Sequence, residues 1–136
     1  VGAQSIISGT SREDVTFAEA SRELGIAVFA PEHVPDGYQR TELKLFKRGK
    51  KEFLHAVYSD GLSTISLFQG KPTKRPDKWK EKRQEIKEGG KVVYRLKRGP
   101  LTILSAGFDG TEVTLMGEIG QNDLARMFSS LKKVTD

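Results

Sequence analysis

Residues 53–68, FLHAVYSDGLSTISLF, read as two strands that meet at Asp60-Gly61, with Tyr58 just before the turn. Asp-Gly is a strong hairpin signal because a type I′ turn needs positive φ at both central residues, which Asp tolerates and Gly adopts freely. A turn centred there places Leu54, Ala56, Tyr58, Ser63, Ile65 and Leu67 on one face. Phe53, His55, Val57, Leu62, Thr64, Ser66 and Phe68 fall on the other. The first face is the better core candidate.

Upstream of this hairpin, residues 1–14 show no periodicity and read as a flexible lead-in, with a single domain expected over 15–134. Thr16 and Glu19 form a capping box, Val15 can staple onto Ala20, and Phe17, Ala20 and Leu24 make an apolar stripe ending at Gly25, so a helix is expected. Ile26 to Phe29 is a short strand candidate, followed by an irregular turn at Pro31, Pro35, Asp36 and Gly37. Tyr38 to Arg48 reads as a strand with Leu43 and Leu45 on one face, turning at Gly49-Lys50.

Downstream, Gly70 to Glu81 is a Pro- and Lys-rich connection holding Trp79, where Asp77 is a candidate cap for a brief helical turn. Ile86 is expected to open a strand before Gly89-Gly90. Lys91 to Lys97 alternates Val92, Tyr94 and Leu96 against Val93, Arg95 and Lys97. Leu101 to Ala106 and Thr111 to Glu118 follow as strands joined through Asp109-Gly110, with Val113 and Leu115 the expected buried pair. A final helix places Leu124, Met127, Phe128 and Leu131 on one face, with Lys132 and Lys133 complementing its C-terminal dipole. The expectation is an α+β domain: a largely antiparallel sheet of about six strands, with an N-terminal and a C-terminal helix packed on it.

At 136 residues the chain suits one core. Its longest apolar run, Ile26 to Ala30, is far short of the ~20 residues that span a bilayer. The start at Val1 and the Ser-, Gly- and Thr-rich residues up to Thr10 read as a mature or truncated form, with a targeting or membrane segment expected upstream. There is no cysteine, hence no disulfide. The net charge of +5 is uneven: residues 40–98 hold eighteen Lys or Arg against seven Asp or Glu, so the middle is basic and the ends acidic. Such asymmetry permits an anionic partner, though the same charges also serve solvent faces and strand edges.

No catalytic constellation is legible. Walker A, G-x-S-x-G and G-x-G-x-x-G are all missing, and His33 and His55 are not at metal-binding spacing. Ser129-Ser130-Leu131-Lys132 matches S-x-x-K without its companion motifs. Gly117-Glu118-Ile119-Gly120 matches the G-x-x-G loop of KH domains, but strand-like residues precede it where a helix belongs. Asp60 has a turn role and no partner carboxylate. No enzyme activity, cofactor or metal is expected.

The run HAVYSDGLSTISLF resembles the C-terminal domain of the MucB/RseB family of periplasmic regulators of the envelope-stress sigma factor, which carry a similar YSDGL hairpin. TEVTLMGEIGQNDLARMFSSL, residues 111–131, is similar to that family's ending, where a strand runs through Gly-Glu into an amphipathic helix. PEHVPDGY, residues 31–38, resembles its Leu-Pro-x-Gly-Phe approach at Pro35, Gly37 and Tyr38. The usual proline after Gly-Glu is replaced by Ile119-Gly120, and the family's lipid-sensing N-terminal domain is absent. Residues 17–38, FAEASRELGIAVFAPEHVPDGY, resemble more closely a domain on the extracytoplasmic side of bacterial anti-sigma factors.

The resemblance implies a noncatalytic periplasmic or extracytoplasmic regulatory domain. Its implied partner is the extracytoplasmic part of an anti-sigma factor, with any membrane link made through a segment outside this chain. An acidic partner segment would meet Arg40, Lys44, Lys47, Arg48, Lys50 and Lys51, with Tyr38 or Tyr58 as aromatic anchor. The alternative is a basic module for nucleic acid or an anionic envelope polymer, using Phe46, Phe53, Tyr58, Phe68 and Trp79 among its aromatics.

Overall fold

A computed structural model describes residues 10–49, 51–72, 84–88 and 91–135. The strands are β1 (Thr10–Arg12), β2 (Phe29–Pro31), β3 (Gln39–Arg48), β4 (Lys51–Ser59), β5 (Thr64–Gly70), β6 (Gln84–Glu88), β7 (Lys91–Arg98), β8 (Leu101–Phe108), β9 (Thr111–Gly117) and β10 (Leu131–Lys133). The helices are α1 (Phe17–Leu24) and α2 (Gln121–Ser129). The fold is α+β, as expected, with more strands than the expected six. Eight form one antiparallel sheet in the order β1-β3-β4-β5-β9-β8-β7-β6, and β2 pairs with β10 in a separate ribbon. Trp79, Asp77 and the Gly89-Gly90 turn lie outside the described residues.

Two meanders, β3-β4-β5 and β6-β7-β8-β9, join through β5 and β9, the last strand of each. Their registers align in rows across the sheet. One row runs Leu45, Leu54, Gln69, Val113, Ala106, and the next runs Leu43, Ala56, Leu67, Leu115, Leu104. These residues are all buried, so the period-2 pattern places the core on one face. Val113 and Leu115 are the expected pair, both fully buried.

α1 follows its sequence signals. The Thr16 hydroxyl accepts from the Glu19 N–H at 3.0 Å, the Glu19 carboxylate accepts from the Thr16 N–H at 2.9 Å, and Gly25 exits at φ 67°. Ala20 and Leu24 bury its apolar stripe, and the Arg40 guanidinium stacks 5.2 Å over the Phe17 ring. From α2, Leu124, Met127 and Phe128 enter the same core. Each such aliphatic or aromatic side chain contributes roughly 1.5–3 kcal/mol when fully withdrawn from water.

Four expectations are corrected. The strand in the approach segment is Phe29–Pro31 rather than Ile26–Phe29, because its partner is β10. That pairing also ends α2 early: Leu131, Lys132 and Lys133 are strand residues opposite Pro31, Ala30 and Phe29, not a last helical turn. The Ser130 hydroxyl donates to the Met127 carbonyl at 2.7 Å, while Ser130 Oγ accepts from the His33 N–H at 3.0 Å, so tertiary partners take over from the helix. Within the expected lead-in, Thr10–Arg12 pairs with Lys47, Phe46 and Leu45 of β3. Finally, the Asp60-Gly61 turn is not a two-residue type I′ loop.

The last pair of the first hairpin is Ser59 with Thr64, which leaves a four-residue loop, and Asp60 does not have positive φ. The shift relative to the expected register is two residues, an even number, so every face assignment survives. Tyr58 still sits among Ala56, Ile65 and Leu67 on the core side.

The ribbon is fastened over the sheet by a side chain that imitates a strand. Gln69, 1% exposed, accepts from the Phe29 N–H at 2.6 Å and donates to the Phe29 carbonyl at 2.7 Å. The Thr111 hydroxyl donates to the Ala27 carbonyl at 2.5 Å, and Val134 N–H donates to Val28 O at 2.8 Å. Phe29 then packs its ring 5.4 Å from Phe108, which lies 5.9 Å from Phe128. These bonds satisfy backbone groups that burial would otherwise leave costly.

Candidate partner-binding face

Strand alternation divides the expected basic patch. Arg40 lies opposite the core-side Tyr58 and stacks on Phe17. Lys47 is opposite Glu52 and exposed. Lys44 belongs to the outer face, where its ammonium meets Glu13 at 3.2 Å and Glu42 at 3.9 Å. Arg48 and Lys51 pair at the β3–β4 turn, and Lys50 lies outside the described residues. A period of two cannot gather these consecutive charges on one surface.

The two expected aromatic anchors are both interior. Tyr58 is 4% exposed, and burial pushes its hydroxyl pKa up to about 12 against the small lowering effect of Arg40. Tyr38 is buried too, its hydroxyl hydrogen-bonded to Ser63 Oγ at 2.5 Å. In this conformation the two rings hold the first hairpin and its loop in place rather than present themselves to a partner.

Other aromatics collect on the outer face of β3, β4 and β5. Phe46 and Phe53 are directly opposite and stack at 4.9 Å, 18° between planes. His55 and Phe68 are also opposite and stack at 4.2 Å and 13°, with Phe53 tilted onto Phe68 at 6.0 Å. Opposed aromatics at this spacing are among the favourable cross-strand pairs. Gly70 of β5 faces Phe53 of β4, and a Cβ there would lie 3.0 Å from Glu52 O and 3.3 Å from Phe53 Cβ, so a side chain would press its neighbours aside by a few tenths of an ångström. Val57 and Met116 continue the face, all of it half-buried.

Beside Phe53 and Phe68 opens a cleft of about 500 Å³, rimmed by Lys51, Lys71, Glu112 and Thr114. His55 is the titratable group within the aromatic row, and its Nε2 is buried without a hydrogen-bond partner. Burial lowers its pKa first, Glu42 raises it, and nearby Lys44 lowers it further. The imidazole is therefore held neutral and behaves as part of the apolar surface. Asp60 is held below the usual carboxylate range by N–H groups of Ser63 and Leu62.

Both helices contribute to the opposite, core face, so among the described residues neither covers this aromatic row. Leu96, Ile103 and Ser105, further along the outer face on β7 and β8, are buried. The arrangement offers an apolar, partly open surface with cations at its rim. The described residues bring together no group of three or more His, Cys, Asp or Glu able to hold a metal ion. The outer-face set was visible in the sequence as the alternation Phe53, His55, Phe68; what the sequence lacked was a reason to prefer it to the basic run.

No family model and no curated protein matches the chain. Among solved structures it is similar to MucB in complex with MucA(peri), with a TM-score of 0.55, 19% identity, and coverage of 79% of this chain and 37% of that one. A Pseudomonas aeruginosa MucA/MucB complex gives a TM-score of 0.55 at 20% identity, over 79% of this chain and 35% of that one. The chain thus spans a little over a third of the length of the structures it matches. The likeness shows a shared fold.

Proposed function

We propose that this chain is a noncatalytic, extracytoplasmic regulatory domain that binds a protein partner in a sigma-factor signalling system, the partner being the extracytoplasmic part of an anti-sigma factor. The observation that carries the reading is the half-buried aromatic row Phe46, Phe53, His55 and Phe68, on a sheet face opposite the two described helices. Such a row gains more by being covered by a partner than by remaining wet. The fold it shares with MucB, seen in complex with MucA, supports the same kind of role. Lys51 and Lys71 at the cleft rim favour an acidic segment and speed its encounter, while the rings supply most of the binding energy.

Isothermal titration of the chain with the periplasmic segment of an anti-sigma factor from the same cell tests this reading. One-to-one binding is expected, weakened about tenfold or more by Phe53→Ser or Phe68→Ser, since large aromatics dominate such interfaces. Lys47→Ser, on the other face, is expected to leave it unchanged. No heat and no complex, with circular dichroism confirming a folded chain, defeats the proposal. Binding instead to generic DNA or RNA at low salt, lost steeply as salt rises, would establish the polyanion reading.

A further inference from the structure

β6, one of the two outer strands of the sheet among the described residues, carries a pattern that is complementary to itself. Among the described residues β6 ends the strand order and pairs through its β7 side alone, with Gln84, Glu85, Ile86, Lys87 and Glu88 opposite Arg95, Tyr94, Val93, Val92 and Lys91. Arg98 and Leu101 close the two-residue Gly99-Pro100 turn, and such a pair exchanges both backbone hydrogen bonds, so Tyr94, Leu96 and Arg98 bond toward β8 while Val93 and Arg95 bond toward Ile86 and Gln84 of β6. Alternation then turns the N–H and C=O groups of Glu85 and Lys87 away from β7 and toward the open edge. A second strand can accept them.

We propose that the occupant of this edge is β6 of a second copy of the chain, paired antiparallel about a two-fold axis at Ile86. Only that symmetric register opposes Glu85 to Lys87, twice, while also using the four outward backbone groups of these two residues. Centring on Glu85 sets carboxylate against carboxylate, and centring on Lys87 sets ammonium against ammonium. Opposed unlike charges stabilise a cross-strand pair and like charges destabilise it, so the register is selected as well as permitted. Charges on an edge deter an arbitrary strand, yet these suit one partner.

The faces also agree. The two-fold keeps each copy's core face aligned, so Ile86, which packs against the core beside Val93, meets its own counterpart. On the outer face Val92, 41% exposed and opposite Lys87, lies one strand in from the joint. The result is a continuous sheet across two copies, independent of whether a partner occupies the aromatic face of β3–β5.

Sedimentation of the chain over a concentration series gives the test. The mean mass is expected to rise from 15.1 kDa toward twice that value, less so at high salt. Lys87→Glu and Glu85→Lys, each made alone, are expected to weaken self-association about tenfold or more by opposing like charges. Mixing the two variants restores pairing, because every 85–87 contact then joins Glu to Lys. That rescue also shows both variants to be folded. A wild-type chain that stays monomeric to about 1 mM, variants that associate as the wild type does, or a mixture that does not restore association would each overturn the proposal.

Discussion

Two of the chain's three Asp-Gly pairs close hairpins, and they build two different turns. At Asp109-Gly110 the φ angles are 47° and 81°, Phe108 pairs directly with Thr111, and the loop has two residues. At Asp60-Gly61 only Gly61 has positive φ, at 95°, and four residues separate the last strand pair. The flanks account for the difference. Phe108 is packed between Phe29 and Phe128, and Thr111 is bonded to Ala27, so the closing pair of the second turn is held in place. In the first hairpin Leu62 is 95% exposed and gains nothing by pairing with Ser59. There the Asp60 carboxylate accepts from Leu62 and Ser63 at 2.9 and 2.8 Å, Ser59 Oγ accepts from Gly61 at 3.0 Å, and Tyr38 holds Ser63. A local dipeptide preference of about 1 kcal/mol yields to side-chain bonds and burial of equal or greater size.

The comparison breaks most severely if the ribbon that anchors the second turn is released. Gln69→Leu strips the buried Phe29 N–H and C=O of both partners and is expected to cost about 2–5 kcal/mol in urea unfolding. A loss below ~1 kcal/mol would show that the ribbon is held by other contacts. Next in size, Thr111→Val keeps the shape and removes the donor to Ala27, for an expected cost of about 1–3 kcal/mol. A neutral result would remove the anchoring argument for the second turn.

The sharpest contrast is one of sign. Asp109→Gly relieves a left-handed non-glycine residue at some cost in chain entropy, with a net stabilisation of roughly 0–1 kcal/mol. Asp60→Gly removes an acceptor of two loop N–H groups and is expected to destabilise. Thermal melts of both variants that move in the same direction would defeat the distinction between the turns. The Asp60 contribution carries its own pH signature: the folded carboxyl lies below its ordinary 3.8, so the stabilisation is complete above that value and is lost as pH falls through the lower folded pKa.

The smallest effect concerns His55 on the first hairpin. Its pKa lies below the ordinary 6.5 because burial disfavours the imidazolium, so the unfolded chain binds the proton first. Stability is expected to fall as pH drops from about 6.5 toward the folded value and then to level. His55→Phe should flatten that segment of the pH profile; an unchanged slope would assign it to other groups.

Much of the architecture was legible because its signals are local. The Thr16–Glu19 box, the Leu54-Ala56-Tyr58 alternation and the Leu124-Met127-Phe128 spacing each specify an element within a few residues. The candidate site was less so. The basic run Arg40 to Lys51 drew attention by its density, and strand geometry then divided it between two faces. The outer-face rings were already sorted by parity, but their stacking depends on register with β3 and β5.

From sequence alone came the α+β class, the identity of both helices, and the face on which nearly every strand residue lies, because period and capping are short-range properties. The tertiary structure decided the joining of β5 to β9, the early end of α2 in favour of β10, the role of Gln69 and the length of the first turn. Each of these depends on which distant groups are near enough to hydrogen-bond or exclude water, and Gln69 and Phe29, forty residues apart, meet only once the sheet and ribbon have formed.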